Sequence, residues 1–162
     1  MTKRTLLAVA VALAVVAVGV LLLIAARSDP GACERPVQDP LDPRSLQHAL
    51  PGAPPPSYAT EPPTSGPHQS GGLEGGVVDR PLPGPVQVGA LEAGQVLLQH
   101  RDLEPGERTR LEALAGPLVV VAPNPALPTR VVASAWRTRQ QCRAVDGDAL
   151  GRFVGDHAGR AP

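Results

Sequence analysis

Aromatic residues and lysine are the scarcest components of this 162-residue chain. It has one Trp, one Tyr and one Phe, and Lys3 is its single lysine beside fourteen arginines. Single-stranded nucleic acid stacks its bases on aromatic side chains, and a duplex requires a basic protein face. Residues 28–162 instead carry 12 basic and 15 acidic residues, a formal net charge of −3. These shortages argue against nucleic acid as a partner and against charge-driven attachment to anionic lipid.

Sequence signatures of common enzyme sites are missing too. Ser65 does not lie in a G-x-S-x-G elbow, and the glycine-rich run at 71–76 lacks the lysine of a phosphate-binding loop. Asp146 and Asp148 are followed by no ligand at calcium-loop spacing, so we interpret them as helix-capping residues. The sequence therefore predicts no catalytic residues, and we expect a protein without enzymatic activity.

Charged and polar side chains are also missing from the whole run between Leu6 and Ala26 (residues 6–26). A helix over this run, at about 1.5 Å per residue, spans a hydrocarbon core of about 30 Å. Two basic residues precede it, so the positive-inside rule predicts a cytoplasmic N-terminus (residues 1–5) and an extracytoplasmic C-terminal domain. A cleaved secretory signal is an alternative, although its apolar region usually has about 7–15 residues. A lipoprotein is another, but Pro30 lies where an apolar residue should precede Cys33.

Cysteine is scarce, with Cys33 and Cys142 as the only two. Outside the cytoplasmic membrane, a pair of cysteines favours one disulfide. Closing so long a loop contributes roughly 4–5 kcal/mol in the chain-entropy model. A reactive thiol pair and a pair of metal ligands are the alternatives, although the chain has no C-x-x-C motif.

Proline is the abundant residue of the first half, since residues 28–86 contain 14 of the 20 prolines. Such segments form extended chain. We therefore interpret residues 27–42 as a tether, and residues 43–86 as extended chain that lies over a single domain of residues 43–162.

Regular elements become recognisable from Val86 onward. Short β-branched runs predict strands, and polar-capped segments with apolar residues on one face predict helices. Trp136, the largest apolar side chain, is predicted to anchor the core. The fold class is therefore α+β, with helices covering one side of a small sheet. The predicted elements are a strand at 95–101, a helix at 104–115, strands at 118–122 and 130–136, and a helix at 149–157.

The stretch Pro62-Pro63-Thr64-Ser65-Gly66-Pro67-His68 is a stiff loop, because each proline fixes its own φ angle and restricts the preceding residue. It could direct Thr64, Ser65 and His68 toward a ligand, so Thr64, Ser65, Gly66, Pro67 and His68 form a candidate binding loop. A rigid turn with a solvated histidine is the simpler interpretation.

Several runs together resemble the domain-of-unknown-function 3105 family, a group of anchored or secreted bacterial proteins found in many actinobacteria. The runs are YATEPPTSGPH, VQVGALEAGQVLL, VVVAP, ASAW with a downstream cysteine, and GRFVGDH. The resemblance extends from Asp42 to Pro162, and PPTSGPH is its most specific part.

The resemblance implies a metal or catalytic cluster, because typical members read V-H-x-L-E-H-G where this chain has Val88 to Gly94. Both family histidines are replaced here, by Gly89 and Ala93. The remaining candidate ligands are His48, His68 and Glu92. Two imidazoles and a carboxylate could still hold copper or zinc.

Two functions are therefore considered. The first is a non-catalytic, membrane-anchored module that binds another envelope protein. The second is a copper- or zinc-binding protein, which requires His48, His68 and Glu92 to converge.

Overall fold

A computed structural model describes residues 31–50, 52 and 54–162. The predicted cytoplasmic residues 1–5 and the predicted membrane helix 6–26 lie outside these ranges. Within the described ranges, no helix has both the length and the apolar character needed to cross a membrane.

The described part of the chain forms a six-stranded mixed sheet and three helices, which confirms the α+β class. The sheet order is β1-β6-β5-β3-β4-β2; β2 and β3 run parallel to β4, and the remaining neighbours are antiparallel. The strands are β1 (Val37–Gln38), β2 (Gly76–Val77), β3 (Val96–His100), β4 (Val119–Pro123), β5 (Val131–Ala135) and β6 (Thr138–Cys142). The helices are α1 (Gly84–Glu92), α2 (Pro105–Glu112) and α3 (Gly147–His157).

One face of the sheet packs against α2 and α3. Leu111 of α2 and Leu150 and Phe153 of α3 are buried there against Val96 and Leu98 of β3. Local chemistry starts both helices: α2 has a capping box and a proline in its first turn, and the Asp146 side chain accepts a hydrogen bond from the Ala149 amide at 3.0 Å. We call this the aliphatic face.

The opposite face is covered by α1 and by the proline-rich chain. Ala90 and Leu91 of α1 pack there against Leu97 and Val120. The prediction that all helices cover one side is therefore wrong, because α1 was not recognised in the sequence. We call this the proline-covered face.

The segment predicted as a tether contributes to the sheet in its described part, residues 31–42. Cys33 forms the predicted disulfide with Cys142, 109 residues along the chain. β1 then pairs with the outer edge of β6, and the Glu34 amide donates to the Gln141 carbonyl at 2.8 Å. The ordered domain thus begins before residue 43.

Trp136 does not anchor the core as predicted. It lies in the tight connection between β5 and β6, where it is only partly buried. Phe153, 2% exposed, is the aromatic side chain of the main core. Trp136 instead packs at the margin of the proline-covered face.

Candidate metal centre

His48 and His68 are brought together by their backbones. The two residues form a parallel β-bridge in which the His68 amide donates to the Gln47 carbonyl at 3.1 Å and the Ala49 amide donates to the His68 carbonyl at 2.7 Å. Their rings meet edge to face, with centroids 5.1 Å apart and planes at 86°. His68 is fully buried, whereas His48 is exposed.

Glu92 completes the cluster from the last turn of α1. Its Oε2 lies 2.6 Å from His68 Nε2, and the Glu92 side chain keeps 37% of its surface exposed. One ligand atom from each of His48, His68 and Glu92 lies within 4.8 Å of the other two. The structure thus brings the three candidate ligands together.

The backbone around His68 defines the tautomer of its ring. His68 Nδ1 lies 3.0 Å from the Gly66 carbonyl oxygen, which can only accept a hydrogen bond. Nδ1 therefore carries a proton, and in the neutral ring Nε2 presents a lone pair toward Glu92. Nε2 lies within ion-pair distance of Glu92, although the contact is not aligned for a hydrogen bond and Nε2 has no hydrogen-bond partner among the described residues. Either a proton on Nε2 or a bound cation between the two atoms makes this close contact favourable.

Gly89 allows the His68 segment to approach α1. A Cβ at this position would lie 2.0 Å from the Gln69 carbonyl oxygen, well inside contact distance. Gln69 in turn donates its amide to the Pro85 carbonyl at 3.0 Å. A histidine at position 89 would not fit this backbone, so the close approach of His68 to Glu92 depends on Gly89.

The candidate binding loop lies inside the protein rather than on its surface. Every residue from Pro62 to His68 is buried, and His68 is not the solvated histidine of the simpler interpretation. The Thr64 hydroxyl donates to Asp39 at 2.9 Å, and the Ser65 hydroxyl accepts the Asp42 amide at 3.0 Å. These side chains therefore hold the loop against the 39–42 segment.

Tyr58 fixes the other side of the loop. Its hydroxyl donates to the Pro67 carbonyl at 2.6 Å, and its ring lies against Gly66 and Gly84, where a Cβ would come within 3.1 and 2.6 Å of ring atoms. Partial burial raises the pKa of Tyr58 to about 12, so the phenol remains a donor at physiological pH.

The other two histidines lie away from the cluster. His100 ends β3, and His157 contacts Phe153 at the end of α3, with ring centroids 4.5 Å apart. Burial lowers the pKa of each ring, with nearby Arg108 and Arg160 respectively adding to the effect. At the end of α3, desolvation of His157 thus outweighs the favourable effect that a helix C-terminus has on an imidazolium.

A cavity of about 400 Å³ adjoins the outer side of the loop. Thr64 and Ser65 form part of its wall, and Pro40, Leu41 and Ala59 supply apolar surface. Leu41 is 49% exposed. This cavity was not predicted, because its walls are far apart in the sequence.

The fold and the site together describe an α+β domain with an irregular, proline-rich cover that buries a histidine. The chain belongs to the family described as Protein of unknown function (DUF3105), whose model matches residues 54–162. His68, Glu92 and the proline-rich loop lie inside the matched segment, whereas His48 precedes it. Comparison with curated proteins gave no match, and neither did comparison with solved structures.

Proposed function

We propose that the protein binds a transition-metal ion, zinc or copper, through His48 Nδ1 or Nε2, His68 Nε2 and a Glu92 carboxylate oxygen. The observation that carries this proposal is the convergence of three ligand atoms at most 4.8 Å apart, with the buried Nε2 of His68 2.6 Å from Glu92 Oε2. Imidazole nitrogen and carboxylate oxygen are donors that both ions accept.

The surroundings of His68 support a ligand role. Its Nδ1–H donates to a backbone carbonyl, an arrangement that commonly orients a metal-bound histidine and raises its basicity. Two ligands of one tetrahedral zinc lie about 3.3 Å apart when each bond is about 2.0 Å. Glu92 must therefore move slightly outward from its 2.6 Å contact, which its partly exposed side chain permits.

The site offers three protein ligands and an open side. Because His48 is exposed and Glu92 is partly exposed, water or an external ligand can reach a bound ion there. An open fourth position is typical of ions that exchange or react, whereas structural zinc is usually enclosed by four protein ligands.

Trp136 offers a direct test, because it is the single tryptophan and its ring centroid lies 6.4 Å from that of His68. Full-length oxidised protein in a non-ionic detergent is titrated with Cu²⁺ while tryptophan emission is recorded. Bound Cu²⁺ should quench this emission at one equivalent, and Zn²⁺ should compete without quenching.

Variants give the test its controls. His68→Ala and His48→Ala should abolish or strongly weaken the stoichiometric quench, whereas His157→Gln, which removes a histidine outside the cluster, should leave it unchanged. Equal quenching in His68→Ala and in the unaltered protein would refute the proposal.

The location we propose is the outer face of the cytoplasmic membrane, with residues 6–26 as a single-pass anchor. The uncharged run itself and the disulfide between Cys33 and Cys142, a bond typical of oxidising compartments, support this location. In spheroplasts of a bacterial host, added protease should degrade the domain and leave an N-terminal tag intact. Protection of the domain would contradict it.

A second candidate function is a non-catalytic module that binds an envelope protein, with the cavity beside Thr64 and Ser65 as its contact surface. The hydroxyls of both residues are already hydrogen-bonded, and the charged lining residues Asp39, Asp42 and Arg44 already form ion pairs within the domain, so the cavity suits an apolar side chain of the partner. A photo-crosslinking residue at Leu41 should yield an adduct that Ala59→Trp removes. Adducts that form equally from Leu118, an exposed site outside the cavity, would count against this function.

A further inference from the structure

A second, smaller cavity lies where β3 and β4 end. These strands run parallel, with His100 opposite Pro123, and α2 connects them. The cavity has a volume of about 260 Å³, and both of these residues line it. Ligands of open sheets with parallel strands commonly bind beyond the carboxyl ends of such strands. None of His48, His68 and Glu92 lines it, so it is separate from the candidate metal centre.

The charged lining of this cavity is mainly basic. Arg101 and Arg108 both line it, and the single acidic lining residue, Asp102, has a side chain that is 78% exposed. Within the described chain, Arg108 forms its ion pair with Glu112 through Nε at 2.7 Å. Its two terminal nitrogens remain available. Among the described residues, the Arg101 side chain makes only long contacts, at 3.3 Å, to the Thr129 carbonyl and to Asp102.

His100 forms the inner wall and is only 7% exposed. Its backbone carbonyl accepts the Asn124 amide at 2.8 Å, which holds the loop after β4 against the end of β3. The cavity therefore has a fixed backbone wall at His100, and Arg101 and Arg108 also line it. A guanidinium group matches the oxygen geometry of phosphate, and two of them line this cavity.

We propose that this cavity binds a small oxyanion of the phosphate class through Arg101 and Arg108, with His100 against the bound group. The ligand is either free phosphate or a small molecule that ends in one. This site is independent of the metal-binding function.

The pKa of His100 can report anion binding, because charged groups surround its ring. Burial and then Arg108 lower the pKa of its ring, while Glu112 opposes them, and Arg101 and Asp102 share the cavity wall. A bound anion favours the imidazolium, so it should raise the pKa of His100. The effect should not reach His157, which lies at the end of α3 and does not line the cavity.

The experiment is a histidine-detected NMR titration of the full chain in a maltoside detergent, with inorganic phosphate as the probe and chloride at matched ionic strength. Only four histidines contribute signals. We expect saturable shifts and a raised pKa for His100. Arg108→Gln should weaken binding roughly tenfold or more. Arg110→Gln, on the same helix but outside the cavity, should not.

Three results would overturn the proposal. One is a His100 response that grows without saturation and matches that of chloride. Another is unchanged phosphate affinity in Arg108→Gln, and the third is an equal loss in Arg110→Gln. The fold of each variant is verified by the unchanged signals of His48 and His68.

Discussion

The two faces of the sheet are closed in different ways. The aliphatic face packs against two capped helices, and its buried cluster consists of Val, Leu, Ala, Phe and the disulfide half Cys142. The proline-covered face has one helix and irregular chain over it, and it buries His68, Gln99 and Ser134 completely among its apolar residues. Regular helices bring a continuous apolar surface to one side, while irregular chain brings carbonyls and polar side chains to the other.

The aliphatic face therefore contributes mainly to stability, whereas the proline-covered face holds the candidate metal ligands. A polar cluster costs free energy when it is buried, and the mainly apolar layer on the other face offsets that cost. Leu98, Leu111 and Phe153 stabilise the sheet from its other side and so offset the cost of burying His68. Mutations on the two faces should therefore have different phenotypes.

The largest effect is expected from Phe153→Ala on the aliphatic face. Removing a fully buried phenyl ring leaves a cavity and should lower the free energy of unfolding by about 3–5 kcal/mol. Urea denaturation monitored by circular dichroism measures this loss. Leu118→Ala, at a position 43% exposed, is the control and should change little. Unchanged stability in Phe153→Ala would contradict the view that the aliphatic face stabilises the domain.

Removing the disulfide should have the next largest effect. Cys33→Ser with Cys142→Ser should lower the free energy of unfolding by about 2–4 kcal/mol, because it releases a long closed loop. The loss should be local at first, with limited proteolysis cutting the chain before α1 while α2 and α3 stay protected. Cleavage that begins in α3 would show that the cross-link stabilises the aliphatic face instead.

Gly89→Ala should separate affinity from stability on the proline-covered face. The added Cβ must displace the Gln69 carbonyl and with it His68, so metal affinity should fall roughly tenfold to a hundredfold. The free energy of unfolding should fall by about 1–3 kcal/mol. Gly151→Ala in α3, where a Cβ meets nothing within 4 Å, should retain full affinity. Equal metal affinity in both variants would show that Gly89 does not position His68.

The smallest expected effect is a pH dependence of stability that arises on the aliphatic face. The lowered pKa values of His100 and His157 mean that the native state binds fewer protons than the unfolded chain. Their contribution is fully present above the ordinary histidine pKa of 6.5 and is lost as the pH falls below it. Urea midpoints in chelator should therefore decrease from neutral pH to about pH 5. The decrease should be smaller in a His100→Gln/His157→Gln variant. An identical decrease would show that other groups cause the pH dependence of stability.

The sequence patterns predicted the elements that depend on local chemistry. The central strands and α3 were recognisable because β-branched runs and an aspartate cap specify them. β6 was missed because its sequence, TRQQC, is polar, and its position depends on pairing with β5 on one edge and β1 on the other. α1 was missed because it is nearly apolar all round and starts with Gly84-Pro85.

The candidate site was predictable only through the family resemblance. Nothing in the spacing of His48 and His68 indicates that their backbones form a bridge, since that bridge depends on how the loop packs against α1. The orienting role of the Gly66 carbonyl is a backbone property that side-chain patterns do not contain. Trp136 beside His68 was likewise hidden, because a tryptophan in the sequence predicts core packing.

The cross-link between Cys33 and Cys142 also determines how mechanical load passes through the domain. If the chain is held from its N-terminal side, tension enters at Cys33 and crosses directly to the end of β6. A pull on the C-terminal residues then runs from Cys142 through α3, and the chain between the two cysteines bears none of it. The His48, His68 and Glu92 cluster lies inside that loop, so a pull between the two termini does not pass along the covalent chain that carries the cluster while the bond is oxidised.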